Sequence, residues 1–239
     1  IMDDKLVSCI FKNSKDKFEK ILPLKYMTRS ILPSEGFAFL SFCDHFNIDL
    51  IVESGLYNGR STLMWAIYDS NKYQVISIEK DEIRKDAIDT LYSYKNVKLE
   101  QGDSLEILPK IIKDNKDKRI AIFIDGPKGK VAIDFGNKLL MNDNVFFVGI
   151  HDVHNKTKIK EKFVKNMSRI YLDKFNPFFI TDYEWFVNEY KYLDEDESNG
   201  YDGIQDMKWI PYKYIDRYGN IKKDLGSYGP TIGFLGKSN

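Results

Sequence analysis

One stretch limits the folds open to this chain more than any other: Asp49 to Trp65, DLIVESGLYNGRSTLMW. An apolar run, Leu50, Ile51 and Val52, ends in an acid, Glu53. Ser54 and Gly55 follow, then three residues, Gly59, and a Ser61-Thr62 pair that leads into an apolar helical pattern. Continuous apolarity without alternation marks a parallel strand buried on both faces. Gly55 and Gly59 permit a sharp turn and a close approach to a ligand, because no Cβ stands in the way. The free amides of the first helical turn face whatever lies over it. A pyrophosphate site needs glycines and amides around anionic oxygens. A carboxylate at the strand tip would repel phosphate and attract a cation or a hydroxyl. Glu-x-Gly-x-x-x-Gly therefore points to a ligand with an amino group and without phosphate.

The chain then alternates between strand and helix patterns. Strands are expected at Gln74–Glu79, Val97–Gln101, Ile120–Ile124 and Val145–Ile150, and helices at Thr62–Tyr68, Ile83–Tyr94, Leu105–Lys113 and Val131–Met141. This order predicts an α/β fold with a largely parallel sheet. Glu79 closes the second strand at the interval from Gly55 that a ribose-binding carboxylate takes in one βαβ step. The alternative is a surface acid in the run Glu79-Lys-Asp-Glu82. Asp103, in Gly102-Asp103-Ser104, suits a helix N-cap. Asp125-Gly-Pro-Lys128 follows the fourth strand, where an open sheet lines its ligand crevice. The fifth strand ends in His151-Asp152-Val-His154-Asn155, the densest group of reactive side chains in the chain. A histidine there is a natural base for a hydroxyl proton. The alternative is a histidine satisfied by nearby backbone.

Glu53-Ser-Gly55-Leu-Tyr57-Asn58-Gly59-Arg-Ser61-Thr62 resembles the first motif of class I S-adenosylmethionine-dependent methyltransferases, closest to the small-molecule O-methyltransferase branch. The ending Ile-His151-Asp152-Val is similar to the fifth-strand ending of that branch. The resemblance covers about residues 49 to 155 and implies a doubly wound, mostly parallel, seven-stranded Rossmann-like sheet of order 3-2-1-4-5-7-6. It implies that Glu53, Gly55, Tyr57, Asn58, Gly59 and Ser61 hold the methionine portion of the cofactor and Glu79 its ribose. Asp103 and Ser104 would hold the adenine, and Asp125 would lie near the transferable methyl. His151, Asp152, His154 and Lys128 would serve the acceptor. Asp-Gly-Pro-Lys differs from the Asn/Asp-Pro-Pro-aromatic motif of nucleic-acid amino methyltransferases, which favours an oxygen acceptor on a small molecule such as a sugar or secondary metabolite. A divalent metal is left open. Asp125 and Asp152 would suit magnesium, which prefers carboxylates and water. Lys128, however, stands where a histidine often follows in metal-assisted members, and no convincing third ligand is adjacent.

Acidic and basic residues number 36 each, so no broad basic surface argues for nucleic acid as a partner. Two separated cysteines, Cys9 and Cys43, fit a reduced, cytoplasmic chain better than a disulfide framework or a zinc site. No run approaches the ~20 apolar residues of a membrane span, and no N-terminal signal pattern is visible. One domain is expected, with an N-terminal helical arm (1–46) and an aromatic-rich insert (184–227) ahead of the last strand. The arm reads as packing or as part of a substrate lid. The insert reads equally as an acceptor pocket or as packing that includes a homodimer contact. Two other functions stay open: an NAD-dependent oxidoreductase on a similar sheet, and a non-catalytic S-adenosylmethionine-binding protein.

Overall fold

The strand of the opening stretch becomes β1 (Leu50–Ser54), which pairs with the strand Gln74–Glu79 on one side and the strand Ile120–Ile124 on the other. The computed structural model describes residues 4–19, 30–31, 33–151, 179–180, 212–215, 221–224 and 232–236. Helices α1 (Asp4–Glu19) and α2 (Pro33–His45) precede β1. Then come α3 (Arg60–Tyr68), β2 (Gln74–Glu79), α4 (Lys85–Leu91), β3 (Val97–Gln101), α5 (Ser104–Asp114), β4 (Ile120–Ile124), α6 (Gly129–Leu139) and β5 (Val145–Ile150). β1 to β5 pair in parallel. β6 (Phe179–Ile180) and β9 (Gly233–Gly236) extend the edge, with β9 antiparallel to both β5 and β6, in the order β3-β2-β1-β4-β5-β9-β6. β7 (Tyr212–Ile215) and β8 (Ile221–Asp224) form a separate antiparallel pair. They are the described part of the expected insert, the rest of which lies outside the described residues. The doubly wound, mostly parallel α/β sheet is the expected one.

Alternation along the strands sends side chains to two cores, because successive residues point to opposite faces. In β4, Ala121 and Phe123 face the layer of α1, α2 and α3, while Ile120, Ile122 and Ile124 face α5 and α6. Helix α4 is shorter than the expected Ile83–Tyr94. Arg84 is extended (φ −62°, ψ 141°) and pairs with Asp86, so helical backbone begins only at Lys85.

Helix α2 belongs to the core. Phe37, Phe39, Leu40 and Phe42 are wholly buried against the sheet. Phe39 sits among Trp65, Phe123 and Phe147, with ring centroids 4.8 to 5.3 Å away. Full burial of such a ring contributes about 1.5–3 kcal/mol. Gly149 of β5 makes this approach feasible, since a Cβ there would stand 2.9 Å from the Phe39 ring. At the other end of α2, Asp44 accepts from the hydroxyls of Tyr68 (2.7 Å) and Tyr73 (2.6 Å) and pairs with Lys17 and Lys72. Burial would raise its carboxyl, but these donors bring it below the usual value. The helix is thus pinned by an aromatic centre and a polar end, which fixes the position of its first turn.

Candidate active site

Backbone hydrogen bonds continue past the strand ends and bring the reactive residues into one row. Gly102 N donates to the Glu79 carbonyl (2.8 Å), Gly55 N to Ile78 (2.9 Å), Asp125 N to Ser54 (2.8 Å) and His151 N to Ile124 (2.9 Å). In sheet order the row reads Asp103, Glu79, Glu53, Asp125, His151. It lies at the C-terminal ends of the strands, where open α/β sheets hold their ligands.

The turn after β1 is as tight as its glycines suggest. Gly55 has φ +101°, and a Cβ on it would stand 3.1 Å from the Gly126 nitrogen. Gly59 is the N-cap of α3 in the left-handed region. Tyr57 is left-handed too (φ +48°), a rare state for a bulky residue. Its amide donates to Glu79 Oε2 at 2.8 Å, and the Arg84 guanidinium lies 5.0 Å from its ring centre. Glu79 Oε1 accepts from the Lys80 amide (2.9 Å), so the carboxylate is oriented from two sides. Asn58 is buried, and its Oδ1 accepts from the Arg60 amide at 3.4 Å. Asp103 is the N-cap of α5, accepting from Leu105 N at 2.9 Å, and pairs with Lys80 at 3.1 Å. The Leu105 amide and Lys80 hold its carboxyl below the usual value. Ser104, the first residue of α5, is buried.

Glu53 is placed differently from its expected position facing a ligand. It has no exposed surface. Thr62 Oγ1 and Ser77 Oγ donate to Oε2, the latter at 2.6 Å, and Trp65 Nε1 donates to Oε1 at 3.4 Å. Burial pushes the carboxyl up to about 7, although hydrogen bonds from Ser61, Ser77 and Thr62 act the other way. Glu53 thus ties β1 to β2 and to the start of α3, holding the turn from within.

The opposite half of the row is a chain of charges. His151 Nδ1 lies 2.6 Å from Asp125 Oδ1, and Nε2 lies 3.3 Å from Glu35 Oε2. Lys128 also pairs with Asp125 Oδ1. Burial would lower the histidine, but the Glu35 charge and the hydrogen bonds to both carboxylates raise it well above its usual value. Burial would likewise raise Asp125, yet His151 and Lys128 bring it down to about 2. A ring that donates to a carboxylate from each nitrogen is an imidazolium, with no lone pair for a hydroxyl proton. With a carboxylate beside each nitrogen, His151 favours that charged form. Asp152 and His154 lie outside the described residues.

Glu35 is the site residue that sequence reasoning missed. It is 1% exposed, in the first turn of α2. An acid there reads as an ordinary complement to the helix dipole, and nothing local links it to a histidine over a hundred residues away.

Among the described residues no group of three His, Cys, Asp or Glu side chains is arranged to hold a metal ion. Asp125 is one of the two acids expected to suit magnesium, and the other, Asp152, lies outside the described residues. The Asp125 Oδ1 already takes an ammonium and an imidazolium. At an effective dielectric of about 20, unit charges 4 Å apart interact by about 4 kcal/mol, and twice that for a divalent ion. A magnesium ion at this carboxylate would meet repulsion from Lys128 and His151, set against attraction to Asp125 and Glu35.

No protein-family model matches the chain, and no curated protein matches it. Similarity appears among solved structures. A SAM-dependent O-methyltransferase from Thermotoga maritima aligns with 93% of this chain and 71% of its own, at 15% identity and TM-score 0.53. An O-methyltransferase from Bacillus cereus in complex with SAH aligns with 99% of this chain and 93% of its own, at 14% identity and TM-score 0.49. The O-methyltransferase TomG from Streptomyces achromogenes, involved in tomaymycin synthesis and in complex with SAM, covers 100% and 92% at 15% identity and TM-score 0.45. No described helix is long and apolar enough to cross a membrane. The likeness to the Thermotoga structure is one of architecture: the chain has the doubly wound, Rossmann-like fold of that SAM-dependent O-methyltransferase.

Proposed function

We propose that this protein transfers a methyl group from S-adenosylmethionine to a hydroxyl of a small molecule. The observation that carries this reading is the company of the glycine turn. Glu53, Glu79 and Asp125 end or follow the adjacent strands β1, β2 and β4, so the turn is set among carboxylates. Glu53 is buried, and Asp125 is paired with Lys128 and His151. It is therefore the Glu79 carboxylate, held by the Tyr57 and Lys80 amides, that disfavours pyrophosphate beside the turn and suits ribose hydroxyls. The fold shared with the Thermotoga structure supports the same reading.

Bound S-adenosylmethionine would supply a sulfonium-activated methyl group, open to in-line attack by an oxygen. The chain's own residues bind, orient and neutralise. Gly55, Tyr57, Asn58, Gly59 and Ser61 shape the turn that takes the methionine portion, with Glu53 holding that turn in place. The Glu79 carboxylate, oriented by the Tyr57 and Lys80 amides, accepts the two ribose hydroxyls. Asp103 and Ser104 border the adenine. Asp125, Lys128 and His151 stand beside the acceptor, where holding two reactants in line supplies much of the rate. With His151 occupied at both nitrogens, Asp152 or His154 takes the acceptor's proton.

Calorimetry on the purified chain tests this. S-adenosylhomocysteine should bind and NAD should not. Glu79→Gln should weaken S-adenosylhomocysteine by about tenfold or more, since a hydrogen bond to a charged group contributes about 1.5–3 kcal/mol. Heat from NAD and none from S-adenosylhomocysteine would replace this function with the oxidoreductase reading.

A further inference from the structure

We infer that Lys128 and His151, gathered on Asp125 and braced by Glu35, form an ion cluster that keeps a divalent ion off Asp125 and presents the Lys128 ammonium to an acceptor oxygen. The inference rests on the proposed methyl transfer for its purpose, but its geometry stands independently. Four elements contribute: α2 through Glu35, β4 through Asp125, the N-cap of α6 through Lys128, and β5 through His151. Their burial is graded. The side chain of Glu35 is 2% exposed, that of His151 13%, Asp125 26% and Lys128 49%. The inner pair is therefore enclosed, and the outermost member is an ammonium with access to solvent.

The grading suits the chemistry. An acceptor hydroxyl gains negative charge as it loses its proton and approaches a methyl group. A nearby positive charge stabilises that oxygen, and a divalent metal is one way to provide it. Here the charge is the Lys128 ammonium at the rim, anchored by Asp125. His151 and Glu35 act as positioning residues: the imidazolium fixes the Asp125 carboxylate, and Glu35 fixes the imidazolium. Asp125 also acts electrostatically on Glu53, raising its carboxyl. The same cations that serve the acceptor oxygen exclude a metal from Asp125.

Manganese titration followed by electron paramagnetic resonance reads this without any acceptor. Up to about 1 mM, the weak end of oxygen-ligand sites, the wild-type chain should show no saturable Mn²⁺ binding that Asp125→Asn removes. Lys128→Gln removes one repelling charge and should tighten binding at least about tenfold. Asp125→Asn added to that variant should abolish the gain. Wild-type binding below 1 mM that Asp125→Asn removes would overturn the inference, as would a Lys128→Gln chain that binds no better than wild type. Calorimetry with S-adenosylhomocysteine on the same preparations keeps the two readings apart. Its failure removes the proposed function and leaves the manganese result standing.

Discussion

Two acids at the ends of neighbouring strands, Glu53 of β1 and Asp125 after β4, behave in opposite ways. Glu53 has no exposed surface and meets only neutral donors, the hydroxyls of Thr62, Ser77 and Ser61 and the Trp65 indole. Burial dominates there, and the carboxyl rises to about 7. Asp125 is also largely enclosed, but it meets the charges of His151 and Lys128 and falls to about 2. Neutral dipoles did not offset desolvation, and full charges did. One acid became part of the frame under the turn, and the other became one of four members of an ion cluster past the ends of β4 and β5.

The largest test of this contrast is His151→Ala, which removes the cation shared by Glu35 and Asp125. Breaking a buried charge cluster of this kind costs about 3–5 kcal/mol, readable in urea unfolding at pH 7. A loss under about 1 kcal/mol would mean that the cluster is not held together by its charges.

Next in size is the pH dependence at Glu53. Its value is higher in the folded chain than the ordinary 4.5, so its stabilising contribution is complete below pH 4.5 and is lost as pH rises toward about 7. The gap is equivalent to about 3 kcal/mol at 1.36 kcal/mol for each pH unit. Glu53→Gln should flatten this decline, and thermal unfolding of both proteins at pH 5 and pH 8 measures it. Asp125 works in the other direction. Its folded value lies below the ordinary 3.8, so its contribution is present above that pH and fades as pH falls toward about 2. An unchanged slope in Glu53→Gln would place the wild-type pH response elsewhere.

The smallest effect belongs to Lys128→Gln. The ammonium is half-exposed, so its pair with Asp125 contributes under about 1 kcal/mol to stability. Unfolding should barely change in this variant even as manganese affinity rises. A loss approaching that of His151→Ala would show that the rim lysine is part of the brace.

Much of this molecule was legible in the sequence because its signals are local. The unbroken apolar runs of β1 and β4, the glycines of the turn and the acids at the strand tips each lie within a few residues of the feature they mark. The cap at Asp103 was readable for the same reason. The start of α4 was not: Arg84 takes an extended backbone and pairs with Asp86, and the helical pattern carried no trace of that. Glu35 was invisible, since its partner is assigned only when Phe39 packs against Gly149 and brings α2 to the end of β5.

The amino-acid order alone determined a parallel sheet, a tight glycine turn after its first strand and a row of acids at the strands' C-terminal ends. Periodicity and backbone preference act over a few residues, so they survive in the linear text. The protonation state of those acids and of His151 was decided by the folded structure. Charge depends on what else is buried within a few ångströms, and only the packing of α2 and α3 against the sheet brings those neighbours together.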